Sequence, residues 1–296
     1  MTSTDESVDH SQDLKSGDLS VTALYTAQTW AWAQFKGAEA FTSDQTRVVF
    51  KVTNGALALM RLFRWGLPRL PEGLAQRHLL IDQLAEEREP DVILELAAGL
   101  SSRALRLSES LSSSLERYLE VDLPHVIDFK SSCYQDQSAQ PSILQLHAHN
   151  LKELDSHTLE SWLEHTTQRV IIAEGIMMYL SADEAQSLLE LIGDILSSYG
   201  GRLIFDWVPT VEQPRPGLFG RILGALMRMF TGGQDFERDE RTREDLLNTL
   251  DLMGAHAQAY DTQMVASSRG LPFVNAKTQQ LIFCADWSTP SNIGSI

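Results

Sequence analysis

An open α/β sheet is the fold class that the sequence predicts, and three short apolar runs carry that prediction. The runs are VILEL at 92–96, VIIAE at 170–174 and RLIFDWV at 202–208. None alternates cleanly between apolar and polar residues, which is typical of strands that helices cover on both faces of a parallel sheet. Helical patterns lie between the runs, and strands that alternate with helices build an α/β fold.

Four weaker strands and one well-marked helix complete this alternation. The helix at 182–198 begins after Ser181, which forms a capping box with Glu184, and it ends before two glycines at 200–201. No internal repeat and no low-complexity linker interrupts the chain, so we expect one domain over residues 19–288. The weaker strand candidates are Tyr118–Val121, Ile143–Leu146, His256–Tyr260 and Gln280–Ala285.

Two regions fall outside the alternation. Residues 19–88 are largely helical and precede the first strand, so we expect them to form a helical cover. Residues 209–250 are an insertion after the fifth strand, with a Pro-rich connection and then an apolar and basic stretch at 218–230. A similar stretch occurs at 55–70. The two stretches either form a lid over the site or pack on each other and on the sheet.

The composition excludes several classes of protein. The 296 residues are 43% hydrophobic and 22% charged, as in a globular protein that builds a sizeable core. The net charge of −16 opposes binding to nucleic acid, which needs clustered basic side chains, and disfavours anionic membranes. No apolar run approaches the roughly 18 residues of a membrane span. We expect no nucleic-acid partner and no integral membrane segment.

The cysteines and the chain ends indicate a cytoplasmic setting. Two cysteines far apart, Cys133 and Cys284, do not make a disulfide framework or a cysteine-based metal site. Residues 1–18 are polar and acidic, without the basic and apolar regions of a signal peptide, and we expect a disordered tail there. We expect 289–296 to be a flexible tail. The pair His147-x-His149 lacks a third ligand, so we expect no metal.

Polar groups stand at the carboxyl ends of the predicted strands, where open α/β sheets bind their ligands. A turn of small residues containing Gly99 follows the first strand, but it lacks the three glycines of a dinucleotide site. Asp122 ends the second strand and suits the two hydroxyls of a ribose, and Asn150 after the third suits an adenine edge. Glu174 ends the fourth. The ordered set predicts a ribonucleoside ligand without a pyrophosphate.

Five motifs occur in order over roughly residues 75–207. They are Arg77-x-x-x-Ile81-Asp82, the loop 94–103, Glu120-Val121-Asp122-Leu123-Pro124, Asn150-Leu151 and Glu174-Gly175-x-x-x-Tyr179-Leu180. In these motifs the chain resembles the class I S-adenosylmethionine-dependent methyltransferases of the leucine carboxyl methyltransferase family, which has a bacterial polyketide O-methyltransferase-like branch. The resemblance implies a Rossmann-like sheet of seven strands, mostly parallel with the last strand antiparallel, behind an N-terminal helical cover.

The resemblance also implies the cofactor and its contacts. S-adenosyl-L-methionine would be bound and S-adenosyl-L-homocysteine would be the product. Arg77 would bind the methionine carboxylate, Asp122 the ribose, and Glu174 the amino group or the sulfonium. The full cofactor-binding set is Arg77, Glu95, Gly99, Arg103, Asp122, Asn150, Leu151 and Glu174. Glu174 and Tyr179 are the candidate catalytic residues, and the candidate substrate pocket is Tyr179, Trp207 and Met227.

The first loop departs from the family pattern Gly-x-Gly-x-Asp-Thr-Arg. Ala97 replaces the first glycine, and Ser101 and Ser102 replace the Asp and the Thr. Ala97 costs little only where its φ angle is negative, and the missing Asp removes a possible second anchor for the cofactor.

The expected reaction is transfer of a methyl group to a carboxyl or hydroxyl oxygen of a small or carrier-bound, hydrophobic metabolite, as in secondary metabolism. A carboxylate acceptor needs no base, whereas a hydroxyl needs one. The candidate bases Glu174, Tyr179, Asp206 and His125 have no orienting partner by spacing, which favours a carboxyl acceptor or an acidic hydroxyl. Two alternatives stay open: a protein or peptide carboxyl methyltransferase, and a binding subunit of this fold that makes little use of the cofactor.

Overall fold

The computed structural model describes residues 19–62, 69–137, 140–209, 211, 240–276 and 280–289. The predicted tail 1–18 and residues 290–296 of the second tail lie outside these ranges. So do residues 63–68 and most of the predicted insertion, including Met227.

Seven strands form one sheet in the order β3-β2-β1-β4-β5-β7-β6. The first five pair in parallel, and β7 lies antiparallel between β5 and β6. The predicted sheet, mostly parallel with an antiparallel last strand, is therefore confirmed. The strands are β1 Val92–Leu96, β2 Arg117–Asp122, β3 Leu144–Ala148, β4 Arg169–Ala173, β5 Gly201–Trp207, β6 His256–Asp261 and β7 Leu281–Trp287.

The helices lie before and between these strands, as the sequence pattern predicts. Three of them precede β1, and the capping box of Ser181 and Glu184 begins α7, with N···O distances of 2.9 and 3.1 Å. No helix in the described ranges is long and apolar enough to cross a bilayer. The helices are α1 Val21–Trp32, α2 Asp44–Leu62, α3 Leu70–Glu86, α4 Arg103–Ser110, α5 Pro124–Gln137, α6 Ser156–Leu163, α7 Ala182–Tyr199, α8 Arg243–Leu252 and α9 Thr262–Val265.

The two faces of the sheet carry separate apolar cores. One core joins α6, α7 and α8 to residues such as Leu94 and Phe205, and the other joins α1, α3, α4 and α5 to residues such as Ile93 and Ile204. Because side chains alternate along a strand, residues two apart project from the same face. Glu95 and Asp206, which follow Ile93 and Ile204 by two positions, therefore project toward α3 at the carboxyl edge of the sheet.

Candidate functional site

Four neighbouring strands carry a row of buried carboxylates on the α3 side of the sheet. Glu120 lies on β2, Glu95 on β1 and Asp206 on β5, and Glu174 directly follows β4. Their side chains are between 0% and 8% exposed. Glu95 and Glu120 are direct neighbours in the β1–β2 register. Buried like charges at this spacing are unfavourable unless each has a cation or a hydrogen-bond donor beside it.

Arg103 supplies most of the compensation at the centre of the row. This first residue of α4 is completely buried and forms ion pairs with Asp82 of α3, with Glu95 and with Glu174. The Nε–Oδ1 distance to Asp82 is 2.6 Å. The second oxygen of Glu95 accepts the hydroxyl of Tyr118 at 2.6 Å. Arg103 thus joins α3, α4 and two strand ends into one charged network.

Arg77 occupies the β5 end of the same network. Its guanidinium donates from Nε to Oε1 of Glu174 at 2.7 Å and from Nη1 to Oδ2 of Asp206 at 3.0 Å. The second oxygen of Asp206 accepts the backbone N–H of Gly175, whose φ of +74° is a conformation that glycine adopts readily. The structure therefore brings the predicted carboxylate-binding Arg77 into direct contact with the predicted amine-binding Glu174.

Charge and burial act in opposite directions on Glu174. Burial alone would raise the pKa of this carboxyl, but the charges of Arg77 and Arg103 and the hydrogen bond from His78 outweigh it and hold the pKa well below its usual range. Glu174 is therefore ionised at neutral pH. An ionised carboxylate with such a low pKa is a weak general base.

His78 completes the contacts of Glu174. Its Nδ1 lies 2.8 Å from Oε2 of Glu174, and its ring stacks on Trp30 with 4.2 Å between centroids. Burial and the neighbouring Arg103 lower the pKa of His78, so the imidazole is neutral at pH 7. The sequence did not single out His78, because a histidine inside an amphipathic helix gives no signal of its own.

The first loop brings Gly99 and Asp122 together. The backbone N–H of Gly99 donates to Oδ2 of Asp122 at 2.7 Å, and that of Leu123 donates to Oδ1 at 2.7 Å. Burial raises the pKa of Asp122 against the opposing effect of these two hydrogen bonds. Gly99 has a φ of +50°, and no heavy atom lies within 4 Å of a Cβ built onto it. The loop is thus open on the side of Gly99.

Ala97 corrects one assumption of the sequence analysis. Its φ is +53°, so the residue that replaces the first family glycine lies in the left-handed region. The condition for a small cost, a negative φ, is not met. An L-residue there carries a steric penalty of about 1–2 kcal/mol that glycine would not.

Asn150 and Leu151 lie at the end of β3. The Asn150 side chain caps the short 3₁₀ helix Leu151–Glu153, accepting the N–H of Lys152 at 3.2 Å, and donates to Glu153 at 3.0 Å. The neighbouring His149 donates its backbone N–H to the carbonyl of Asp122 at 2.8 Å. This contact holds the ends of β2 and β3, and therefore the two predicted nucleoside contacts, next to each other.

Tyr179 is half-buried at the end of a short 3₁₀ helix after β4. Its hydroxyl bonds to the side chain of Thr22 of α1, so α1 reaches the carboxyl edge of the sheet. Burial raises the pKa of Tyr179, and the phenol stays protonated at neutral pH. The structure thus places Tyr179 close to the Arg77 network, with a proton that it can donate.

Trp207 projects away from this group. It belongs to the core on the α7 side of the sheet and is 4% exposed, with the guanidinium of Arg241 over its ring at 5.0 Å. Asp206, the residue before it, faces α3. The exposed His125 on α5 makes no contact with the Glu174 network among the described side chains. The structure therefore does not bring Trp207 and His125 to the carboxylate row.

The two histidines at the end of β3 pack on an aromatic ring. His147 and His149 both pack on Trp162, with 5.6 Å between ring centroids in each pair. The described ranges hold no group of three or more His, Cys, Asp or Glu side chains arranged for a metal ion.

Sequence reasoning also missed Lys130 of α5, which is completely buried. Its Nζ lies 2.7 Å from Oε2 of Glu120, although the two groups are not aligned for a hydrogen bond.

Comparison with solved structures agrees with this architecture. A protein from Thermobifida fusca described as a "putative methyltransferase" matches with a TM-score of 0.61 and 14% identity, over 96% of this chain and 100% of that one. An "O-methyltransferase family protein" from Burkholderia thailandensis matches with a TM-score of 0.52 and 12% identity, over 92% of this chain and 73% of that one. At these identities the likenesses show the fold alone.

Sequence comparison identifies the family. A Mycolicibacterium vanbaalenii protein named "Putative S-adenosyl-L-methionine-dependent methyltransferase" is 33% identical over 156 residues, about half of either chain. A Mycobacterium avium protein of the same name is 29% identical over 220 residues, 71% of this chain and 69% of that one. These names support the predicted enzyme class and cofactor. A leucine carboxyl methyltransferase family profile matches residues 26–193, and the chain therefore belongs to the leucine carboxyl methyltransferase family.

Proposed function

We propose that this chain is an S-adenosyl-L-methionine-dependent methyltransferase that transfers a methyl group to an oxygen of a small or carrier-bound acceptor. The family assignment and the names of the relatives support the reaction class. The observation that carries the proposal is the buried contact between Arg77 and Glu174 at the carboxyl edge of the sheet. It lies on the same edge as the open Gly99 loop and Asp122.

Arg77 and Glu174 fit the methionine end of the cofactor. That end carries one carboxylate and one ammonium group, and the two side chains present the opposite charges 2.7 Å apart. Insertion of the amino-acid group exchanges one ion pair for two, carboxylate on Arg77 and ammonium on Glu174, and this group by itself has no net charge. Charge-assisted hydrogen bonds of this kind are among the stronger polar contacts in proteins.

The net charge of the network fits the sulfonium. Among the described side chains, Asp82, Glu95, Glu174 and Asp206 are connected to three guanidiniums, those of Arg77, Arg103 and Arg106. Four carboxylates against three cations leave a net charge of −1. S-adenosyl-L-methionine has a net charge of +1 and S-adenosyl-L-homocysteine has none. The network should therefore attract the substrate form of the cofactor more strongly than the product form.

The nucleoside end fits the neighbouring loops. Both oxygens of Asp122 accept one backbone N–H, and a carboxylate oxygen can accept a second donor such as a ribose hydroxyl. The open space beside Gly99 admits a ligand that a Cβ would obstruct. Asn150 and Leu151 are next to Asp122 through the contact of β2 and β3, as an adenine joined to that ribose requires.

The acceptor that fits best is a carboxylate. Glu174 is ionised with a low pKa, Tyr179 stays protonated, and both oxygens of Asp206 are occupied by Arg77 and Gly175. None of these three carries the free basic group that an ordinary hydroxyl acceptor needs. Methyl transfer to a carboxylate requires alignment with the sulfonium and exclusion of water, but no proton removal.

Titration calorimetry tests cofactor binding. Wild-type protein should bind S-adenosyl-L-methionine, and Asp122→Ala should lose about tenfold or more in affinity because the ribose loses a charged acceptor. Asp128→Ala, at an exposed position six residues along the chain, should bind like wild type. Failure of the wild-type protein to bind would refute the proposal and favour a binding subunit of this fold.

Transfer of a labelled methyl group tests the acceptor. The enzyme should label members of a panel of hydrophobic carboxylic acids, and mild base should release the label as methanol. A base-stable ether would contradict the carboxyl assignment while leaving the methyltransferase proposal intact. Label incorporated into proteins or peptides alone would identify a protein carboxyl methyltransferase.

A further inference from the structure

His78 is the one residue of the Glu174 network with a buried polar atom left over. Its side chain is 1% exposed, and Nδ1 lies 2.8 Å from Oε2 of Glu174. Its Nε2 is buried and has no hydrogen-bond partner among the residues that the structure describes. The rings of Trp30 and Phe35 stack against the imidazole.

We infer from the contacts of the ring that Nδ1 carries the proton. Oε2 of Glu174 can only accept, so the short contact requires a hydrogen on Nδ1. The neutral imidazole then has its lone pair on Nε2. The 2.8 Å approach of Arg103 Nη2 to Nδ1 follows from the same arrangement, because both groups donate to the one oxygen of Glu174.

This arrangement treats the two oxygens of Glu174 differently. Oε2 is held by Arg103 and His78, whereas Oε1 accepts only from Nε of Arg77 among the described donors. Arg77 would turn from Oε1 of Glu174 to the carboxylate of the ligand. Oε1 would then be free to accept a hydrogen bond from the amino group of the ligand. A neutral donor on Oε2 fixes the carboxylate without adding a fourth cation to the network.

We propose that His78 is a positioning residue, which holds Glu174 through Nδ1–H so that Oε1 meets the amino group of the bound cofactor. The inference rests on the proposed function. It also explains the imidazole better than stability does, because an unpartnered buried nitrogen carries a desolvation cost that an apolar side chain would avoid.

Two ligands separate positioning from packing. S-adenosyl-L-methionine has the amino group, whereas 5′-methylthioadenosine has the same nucleoside without the amino acid. By calorimetry, His78→Leu should lose about tenfold in affinity for the first ligand and less than twofold for the second. His78→Asn, whose amide can donate to Glu174, should stay within about threefold of wild type for both. His256→Asn, at an exposed position of β6 at the far edge of the sheet, is the matched control.

The acid dependence gives an independent measurement. The charged groups that face His78 or its partner are Glu174, Arg103, Asp82 and Arg77, and the packed rings of Trp30 and Phe35 add none. A proton on Nε2 would make the network neutral and disfavour the cationic cofactor. Wild-type affinity should therefore fall at acid pH, below the range in which an ordinary histidine titrates, and the fall should be smaller in His78→Asn.

The tautomer can be read in the unmodified protein. With ¹⁵N-labelled histidine, one of the eight imidazoles should show a protonated Nδ1 and a bare Nε2 at pH 7. This measurement decides the matter even where His78→Leu does not fold.

The results that overturn the inference differ from those that overturn the function. Equal losses for both ligands in His78→Leu, or a protonated Nε2 in the histidine signal that disappears in His78→Asn, would overturn the positioning role alone. If the wild-type protein bound neither ligand, the proposed function and this inference would fall together.

Discussion

Replacing Ala97 by glycine should stabilise the protein, although it removes a methyl group. Ala97 has a φ of +53°, and the steric cost of this left-handed conformation is about 1–2 kcal/mol for an L-residue. Glycine removes that cost but gives the unfolded chain extra entropy, worth about 0.4–1 kcal/mol. The difference predicts that the free energy of unfolding of Ala97→Gly exceeds that of wild type by about 1 kcal/mol.

Gly99, two residues away, allows the reverse substitution as a control. Its φ of +50° is almost the same, and a Cβ added there meets no atom within 4 Å. Gly99→Ala therefore introduces the left-handed penalty without a clash and should lower the free energy of unfolding by about 1 kcal/mol. The two substitutions are chemical opposites at equivalent backbone positions, so their effects should be similar in size and opposite in sign.

Urea unfolding at constant pH, followed by tryptophan fluorescence and circular dichroism, measures both effects. The linear extrapolation should give the same m-value for all three proteins, so that shifts of the midpoint report stability. Gly99→Ala should in addition weaken S-adenosyl-L-methionine binding, because its Cβ occupies the open side of the loop, whereas Ala97→Gly should not. A destabilised Ala97→Gly beside a destabilised Gly99→Ala would refute the assignment of strain to Ala97.

Three further predictions concern the buried charges and a helix cap. Burial raises the pKa of Glu120 to about 7 despite the neighbouring Lys130. The folded state therefore binds more protons than the unfolded state between pH 4.5 and 7. The free energy of unfolding should fall by about 3 kcal/mol as the pH rises through that window. The double variant Glu120→Gln/Lys130→Met should lose this contribution, and an unchanged difference between the two proteins at pH 5 and pH 8 would contradict it. Arg103→Lys should lower the free energy of unfolding by about 3 kcal/mol, because one ammonium cannot reach three buried carboxylates. A thermal unfolding midpoint equal to that of wild type would contradict this role of Arg103. Ser181→Ala should cost about 1 kcal/mol through loss of the capping box of α7, while the exposed Ser187→Ala, tested in the same urea assay, should cost less than half of that.

The strands and the edge that carries the site could be predicted because both follow from local sequence. All seven strands occur within two residues of the predicted limits, three of them as short apolar runs and four as weaker patterns between helical segments. The positions of Asp122 and Glu174 followed from the rule that ligands bind at the carboxyl ends of parallel strands. Neither result required knowledge of side-chain partners.

The partners themselves could not be predicted from the sequence. Arg103 and His78 meet Glu174 from two helices that are far from it in the chain, and no spacing encodes that meeting. The sign of φ at Ala97 depends on how the loop leaves β1. The facing of Trp207, by contrast, was within reach of the sequence, because consecutive residues of a strand project from opposite faces and Asp206 had already been placed on the site.

Stability does not account for the buried charges at the carboxyl edge. Replacing a buried ionic network by apolar residues of similar volume is often neutral or stabilising, and the proposed cofactor site supplies a reason for the network that stability does not. Arg77, Glu174 and Arg103 join α3, the end of β4 and α4 around the point where the strand order reverses between β1 and β4. A ligand that separates Arg77 from Glu174 therefore acts on the two helices that line this crevice. Coupling of this kind predicts that S-adenosyl-L-methionine slows hydrogen exchange in α3 and α4 more than 5′-methylthioadenosine does, because only the first ligand has the amino acid that separates the two side chains. Exchange in α4 that slows equally with both ligands would show that Arg103 does not transmit the effect.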